Sequence, residues 1–501
     1  MEIFSAKIVE INISNWEWII AMLNSKQAAE FWISSNDKIS LIRKWEEYVV
    51  DVALTDDLVE PGTIWATSEL FREYPIAVGD NVLVSFVRSN PLSLQAIKKK
   101  LLGKRITKEE IDAIIEDIQN NKLSDLSLAY YTATWFFYKS NAEELAYTTK
   151  ATAYTWDIYR FPWIVASKYC IWGVSWNETT MIIVPLLASL WIIMPKTFSK
   201  SITSPAATGE CVEILMNTEL KKHEIIRLVE NIWCCLAWNW NLNLAPANDR
   251  IIKVSSAIGM EPYSRMISSI MAKNYAMWIN HCLIDIPVWP TAKVTNQLDA
   301  KRIAKHFKEI WEYLDIKTEV VITNANQPIW NGIGPVLQTR EALRVLQQHK
   351  ERAEDLEKKS LDLSAQMLLL CWIENNYQQA YKRVKNQLIN WEAWNKMQQI
   401  IKAQKGKNPK ISSEDLPLGK VVYEVKSSKE WKVSSINMQY LNTIARTLWS
   451  PWDISAWIEV LKKLNKKIKE GETIMICYSN SENKMEIAKE LLELKIPYEI
   501  K

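Results

Sequence analysis

Over the first 88 residues the chain alternates, or runs apolar, for strand lengths at a time. KIVEINI, EEYVVDVAL and DNVLVSFV are the clearest runs, with Pro61-Gly62 and Gly79-Asp80 as turns between them. Short strands punctuated by turn residues predict a small β-barrel. Ser89-Asn90-Pro91 breaks that pattern, and helices are expected after it. Thr107-Lys-Glu-Glu110 reads as a capping box, and the EEIDAIIEDI run it opens carries apolar residues at three- and four-residue spacing. Ser140-Asn-Ala-Glu143 predicts another helix start.

From about residue 166 to 400, strand-like runs alternate with helical ones, an α/β pattern; MIIVPLL, HCLIDIPV and TEVVITN read as the clearest strands. The polar stretch Gln404 to Leu418 reads as a linker, and strands and helices mix again beyond it. The expectation is a mixed α/β multidomain chain. It has an N-terminal β-barrel over 1–88, a helical domain over 89–165 joined by part of 210–235, and an α/β domain over 166–403. A linker over 404–418 and a C-terminal α+β domain over 419–501 complete it.

Composition narrows the function classes. A chain of 501 residues exceeds one ordinary domain. The net charge of +3 gives no reason to expect nucleic acid or an acidic membrane as partner. Lys98-Lys99-Lys100 and the lysines from 462 to 469 are interleaved with Leu and Ile, which predicts solvated helix faces. The most apolar stretch, Met181 to Met194, is short for a membrane span and contains Pro185. MEIFSAKIVEI has no secretion-signal pattern, so a cytoplasmic protein is expected. Seven cysteines without CxxC spacing read as reduced thiols. Four histidines without HxxxH register give metal-dependent hydrolysis no support, and no metal or organic cofactor is expected.

One imbalance changes the picture. There are 25 tryptophans and only 11 glycines, 36 in all, where about 35 glycines are usual for this length. Trp65, Trp172, Trp176, Trp289 and Trp330 stand in turn-like contexts rich in Pro, Asn and Ser, which suit glycine and not an indole. Some bacterial lineages read the UGA codon as glycine, and a translation that reads it as tryptophan prints this pattern. The expectation is that most of these tryptophans are glycine in the native protein.

Three segments could carry chemistry. Ile171 to Thr180 becomes IGGVSGNETT with Trp172 and Trp176 as glycine, and inward-turned amides there make an anion cradle. Ser199-Lys200-Ser201-Ile202-Thr203-Ser204, with Thr208 beyond, follows an apolar run and offers hydroxyls and an ammonium to a phosphate dianion. An ordinary polar loop explains the same residues equally well. Glu261 and Lys293 flank a helix and the HCLIDIPV strand, and taken singly read as surface charges.

Together these segments resemble the thymidine and pyrimidine-nucleoside phosphorylase family. The resemblance rests on Lys168-Tyr-Cys-Ile-Trp-Gly-Val-Ser-Trp-Asn177, on Met194 to Glu210, on Leu242-Asn-Leu-Ala-Pro-Ala-Asn-Asp249 and on Gln327 to Arg340. Family glycines fall on Trp32, Trp156, Trp172, Trp176, Trp191, Trp233, Trp240, Trp278, Trp289, Trp311 and Trp330, whereas Trp238 matches a family tryptophan. The resemblance implies a nucleoside-phosphorylase type II-like pairing of helical and α/β domains, the latter binding phosphate and nucleotide. It implies phosphorolysis of a nucleoside 5′-monophosphate, AMP plus phosphate giving adenine and ribose 1,5-bisphosphate, with CMP and UMP as further substrates in view.

By the same resemblance Glu261 is the proton donor. Gly173, Ser199, Lys200, Ser201, Ile202, Thr203, Ser204, Thr208, Ser269 and Lys293 contact the nucleotide or phosphate. A homodimer or higher homo-oligomer is implied. The departures are Tyr169 for the family's histidine, Cys170 for its serine and Lys200 for its arginine. A pyrimidine-nucleoside phosphorylase and a catalytically inactive oligomeric relative stay open as alternatives. A phosphoribosyltransferase is disfavoured because no acidic magnesium cluster is evident.

Overall fold

The computed structural model describes residues 2–13, 19–87, 90–137, 141–171, 179–200, 204–238, 250–251, 254, 262–290 and 292–501. The chain divides into two compact units, Met1–Thr155 with Pro246–Arg265, and Trp156–Ala245 with Met266–Lys501.

In the first unit β1 (Glu2–Glu10), β2 (Ile20–Asn24), β3 (Lys38–Arg43), β4 (Glu46–Thr55), β5 (Thr63–Ala66) and β6 (Asn81–Phe86) close a barrel in the order β1-β5-β2-β4-β3-β6. Alternation puts Ile8, Leu23, Ile39, Leu41, Ile64 and Val84 fully inside. Each such side chain contributes about 1.5–3 kcal/mol. Helices Pro91–Leu101, Lys108–Gln119, Asp125–Phe137 and Ala142–Tyr154 follow.

The capping box is formed: Thr107 N–H donates to Glu110 Oε2 at 2.7 Å, and Glu110 N–H to Thr107 Oγ1 at 3.3 Å. Helix Ala142–Tyr154 is capped by Asn141, whose side chain accepts from Glu144 N–H, so it starts one residue later than the sequence pattern implies. Lys100 is buried and pairs with Glu144 at 2.6 Å, so only part of that lysine run is solvated. The other run, 462–469, is a turn leading into a two-residue strand and not a helix face; its Lys463 reaches Asp355 at 3.1 Å.

In the second unit β7 (Ala166–Cys170), β10 (His281–Val288) and β11 (Lys317–Asn324) pair in parallel, as do β8 (Met194–Phe198) and β9 (Cys234–Trp238). A parallel bridge between Val165 and Ile193 joins the two ribbons. HCLIDIPV and TEVVITN are thus strands as expected. MIIVPLL is not: it lies in helix Thr180–Ala188, all nine residues of which are buried. Burial on every side erases the periodicity that tells strand from helix.

Residues 210–235 also depart from expectation. They do not join the helical domain; helix Lys222–Ile232 leads directly into β9 in the second unit, while 246–265 cluster with the first. Beyond them β12 (Gly332–Ile333), β13 (Val421–Lys426), β15 (Trp457–Val460) and β17 (Thr473–Ser479) form one antiparallel sheet in the order β12-β15-β17-β13. β14 (Trp431–Ile436) pairs with β16 (Lys467–Ile468) and β18 (Tyr498–Ile500). The 404–418 stretch is irregular but pinned. The Gln404 side-chain amide donates to the carbonyls of Asn217 and Leu236, and Glu414 pairs with Arg344 at 2.8 Å.

Candidate active site

Five parallel strands end on one side of the second unit, and the chemistry-bearing segments leave from those ends. Where parallel strands terminate, carbonyl ends and helix starts leave room for ligands. Ser199 and Lys200 follow β8 directly. Thr208 opens helix Thr208–Glu213, and Ser204 Oγ donates to the Ala206 carbonyl at 2.9 Å in the turn before it. Gly209 makes this packing possible. A Cβ there would lie 3.2 Å from the Ser199 carbonyl oxygen and 3.0 Å from Lys200 Cγ.

Lys200 is held between two strand ends. Its Nζ lies 2.7 Å from Glu213 Oε1 and 4.0 Å from the centroid of the Trp238 ring at the end of β9. Thr218 Oγ1 donates to the same Glu213 oxygen at 2.9 Å. The Lys200 side chain is about one-third exposed, so its ammonium can exchange this partner for a ligand.

Lys293 stands in the loop after β10, which is closed by a Val288–Val294 bridge and by Ala292 N–H donating to the Trp289 carbonyl at 2.9 Å. Ser269 is half-buried within helix Tyr263–Ala276. Gly173, Ser201, Ile202, Thr203 and Glu261 lie outside the described residues.

Beneath these ends lies a charged cluster that pattern reasoning did not single out. Asp285, fully buried on β10, accepts from Lys359 Nζ at 2.9 Å and from Thr323 Oγ1 at 2.6 Å, and Lys168 Nζ of β7 stands 3.7 Å away. Burial opposes charge on Asp285, but Lys359 and Lys168 outweigh it and hold the carboxyl below the usual carboxylate range. The available signal was a carboxylate and a lysine inside otherwise apolar strands.

Tyr169, next to Lys168, fills the histidine position noted above. Its hydroxyl donates to the Thr197 carbonyl at 3.3 Å, and Lys196 Nζ sits 3.2 Å from its ring centroid while donating to the Lys168 carbonyl at 2.8 Å. Burial pushes the Tyr169 phenol up and the Lys196 amine well down, with Lys168 adding to the latter. Tyr169 and Lys196 thus tie β7 to β8 just before the segments that leave the sheet. Among the described residues no group of acidic, histidine or cysteine side chains could hold a metal ion, and no helix is long and apolar enough to cross a membrane.

Comparison with known proteins adds four findings. Residues 94–154 match the glycosyl transferase family, helical bundle domain. AMP phosphorylase of Pyrococcus furiosus is 33% identical over 503 residues, covering 98% of this chain and 97% of that protein. A candidate thymidine phosphorylase of Nitrobacter hamburgensis is 34% identical, covering 87% of this chain and 85% of that one. Among solved structures, anthranilate phosphoribosyltransferase from Thermus thermophilus superposes with a TM-score of 0.53 at 12% identity. It covers 62% of this chain and 99% of that one, a likeness of fold alone.

Proposed function

This chain belongs to the thymidine and pyrimidine-nucleoside phosphorylase family, and from that premise we propose that it splits AMP with inorganic phosphate into adenine and ribose 1,5-bisphosphate. The observation that carries the reading is the end-to-end match to AMP phosphorylase, which extends over 98% of this chain. The enzyme is then a pentosyltransferase, and CMP and UMP are further substrates to test.

A phosphate oxygen attacks the anomeric carbon as the bond to the base nitrogen breaks. The bonding pair leaves with the base, which takes a proton. Holding phosphate against that carbon and screening its charge is the protein's main contribution. In this reading Ser199 and Lys200 after β8, with Ser204 and Thr208 before and at the start of helix Thr208–Glu213, hold the phosphate, and Ser201, Ile202, Thr203 and Gly173 are assigned the same role. Lys200 exchanges Glu213 for the more highly charged phosphate. Lys293 supplies charge after β10, and Ser269 contributes a hydroxyl. Glu261 donates the proton to the leaving base.

The domain layout proposed with this function is a barrel over 1–88, helices from 89, a catalytic α/β part to 403, a connecting stretch over 404–418 and an α+β part over 419–501. Association into a homodimer or higher homo-oligomer is supported by Leu126, Tyr130 and Phe137. These residues lie along one face of helix Asp125–Phe137 and are 66%, 51% and 78% exposed. A cytoplasmic location fits this chemistry.

The test is release of free base from AMP, adenosine or thymidine, with and without phosphate, by protein isolated from its own cells. Base from AMP that requires phosphate is expected. Base from thymidine alone assigns the chain to the nucleoside-directed branch. No base from any of them makes it an inactive relative, with Tyr169 and Cys170 as the altered positions.

A further inference from the structure

Among the described residues, nine of the twenty tryptophans have a positive φ: Trp32, Trp45, Trp163, Trp191, Trp233, Trp278, Trp372, Trp391 and Trp449, with values from 56° to 88°. None of the described phenylalanines or tyrosines does. The left-handed region crowds Cβ against the backbone, and only glycine enters it without cost. Ring bulk therefore does not explain the tryptophans; the other aromatic side chains of this chain obey the rule they break.

The places they occupy are those a helix or turn reserves for glycine. At Trp32, Trp191, Trp278, Trp372 and Trp449 the tryptophan N–H bonds the carbonyl three residues back, and the following N–H bonds the carbonyl five back. That double bond is the Schellman closure of a helix, whose left-handed residue is usually glycine. Gly103 closes its helix the same way, with N–H to Lys100 and the next N–H to Lys99. Trp233 and Trp391 also stand at helix ends, at φ 69° and 65°. Trp45 is the second residue of the two-residue hairpin turn between β3 and β4, where Lys44 is left-handed too. Such turns favour Asn-Gly and Gly-Gly. Trp163 follows Pro162, the order of a Pro-Gly turn.

Trp191 meets Trp233 edge-on and Trp372 packs beside Lys317 and His281, but Trp45 is 98% exposed. Trp32, Trp45, Trp163, Trp191 and Trp372 are 70% or more exposed, while Ile33 and Ile192, which follow Trp32 and Trp191 in the motif, are buried. An indole as exposed as that of Trp45, at a position that strains its own backbone, gains little from packing.

We infer that the native polypeptide carries glycine at these nine positions, inserted by a tRNA that reads UGA as glycine. Five of them, Trp45, Trp163, Trp372, Trp391 and Trp449, are marked by the backbone alone. Trp394 and Trp457 are buried at ordinary φ, so the backbone marks neither, and Trp394 is packed within its helix like a native core residue.

Peptide mapping by mass spectrometry of the protein from its own cells tests this directly. Glycine at all nine positions is expected, and tryptophan at most of them would overturn the inference. Stability supplies an independent reading. In the chain made with tryptophan throughout, Trp45→Gly is expected to raise the unfolding midpoint by about 2 °C, through relief of left-handed strain. Trp394→Gly, which empties a core site, should lower it by several degrees. If Trp45→Gly lowers the midpoint as Trp394→Gly does, the indole belongs there and the inference fails. Neither measurement depends on catalytic activity.

Discussion

Lys200 shows at the scale of one residue how this site trades partners. A lysine facing Glu213 and the Trp238 ring is neither free nor locked, because about a third of its side chain stays open to solvent. Lys200→Ala should raise KM for phosphate or AMP by about tenfold or more, the worth of one charge-assisted contact. Lys200→Arg should stay within a few-fold of the parent, since the charge is kept. Steady-state kinetics on both variants checks this, and equal losses in the two would mean that shape and not charge is what the position supplies.

His281 gives a second residue-scale prediction. Burial, with Lys317 as the second cause, pushes its imidazole down to about 4. Unfolded histidine binds its proton near pH 6.5. Between those values the unfolded chain holds more protons, so stability falls as pH falls, by up to about 1.4 kcal/mol per unit. His281→Gln should flatten the fall in urea midpoint between pH 6.5 and 4; an unchanged slope contradicts the assignment.

Among the elements, the Asp285 cluster holds β7, β10, β11 and helix Glu354–Leu370 together through one carboxylate. Both buried ammoniums, Lys168 and Lys359, reach this carboxylate, at 3.7 and 2.9 Å. Asp285→Ala should therefore destabilise by about 3–5 kcal/mol, measured by urea unfolding. A loss below about 1 kcal/mol would mean that water or other groups compensate.

This cluster also marks what the sequence could not yield. Lys168 and Asp285 sit in apolar strands some hundred residues apart, and nothing in either strand alone says that they meet. The helix at MIIVPLL escaped for the opposite reason: with every side buried, its residues need no polar face and carry no period. The barrel strands β1, β4 and β6 were legible because one side of each faces water, which imposes alternation. The hydroxyl-rich segment at Ser199 was legible by density alone, and the structure places its ends, Ser199, Lys200 and Ser204, beyond β8. Glu261 and Gly173 came from family resemblance and lie outside the described residues.

Across the whole molecule, the exposed apolar face of helix Asp125–Phe137 predicts association. Sedimentation should give particles of at least two chains, and Tyr130→Asp with Phe137→Asp should shift the mass toward one chain. A single-chain particle from the parent would remove that reading without touching the chemistry. The chemistry turns on whether phosphate or water takes the sugar. Phosphorus NMR of AMP and inorganic phosphate with the native enzyme answers this most directly. The account predicts that one inorganic phosphate disappears for each adenine released and that the ribose gains a second phosphate ester at its anomeric carbon. Adenine released beside ribose 5-phosphate, with inorganic phosphate unconsumed, would contradict it.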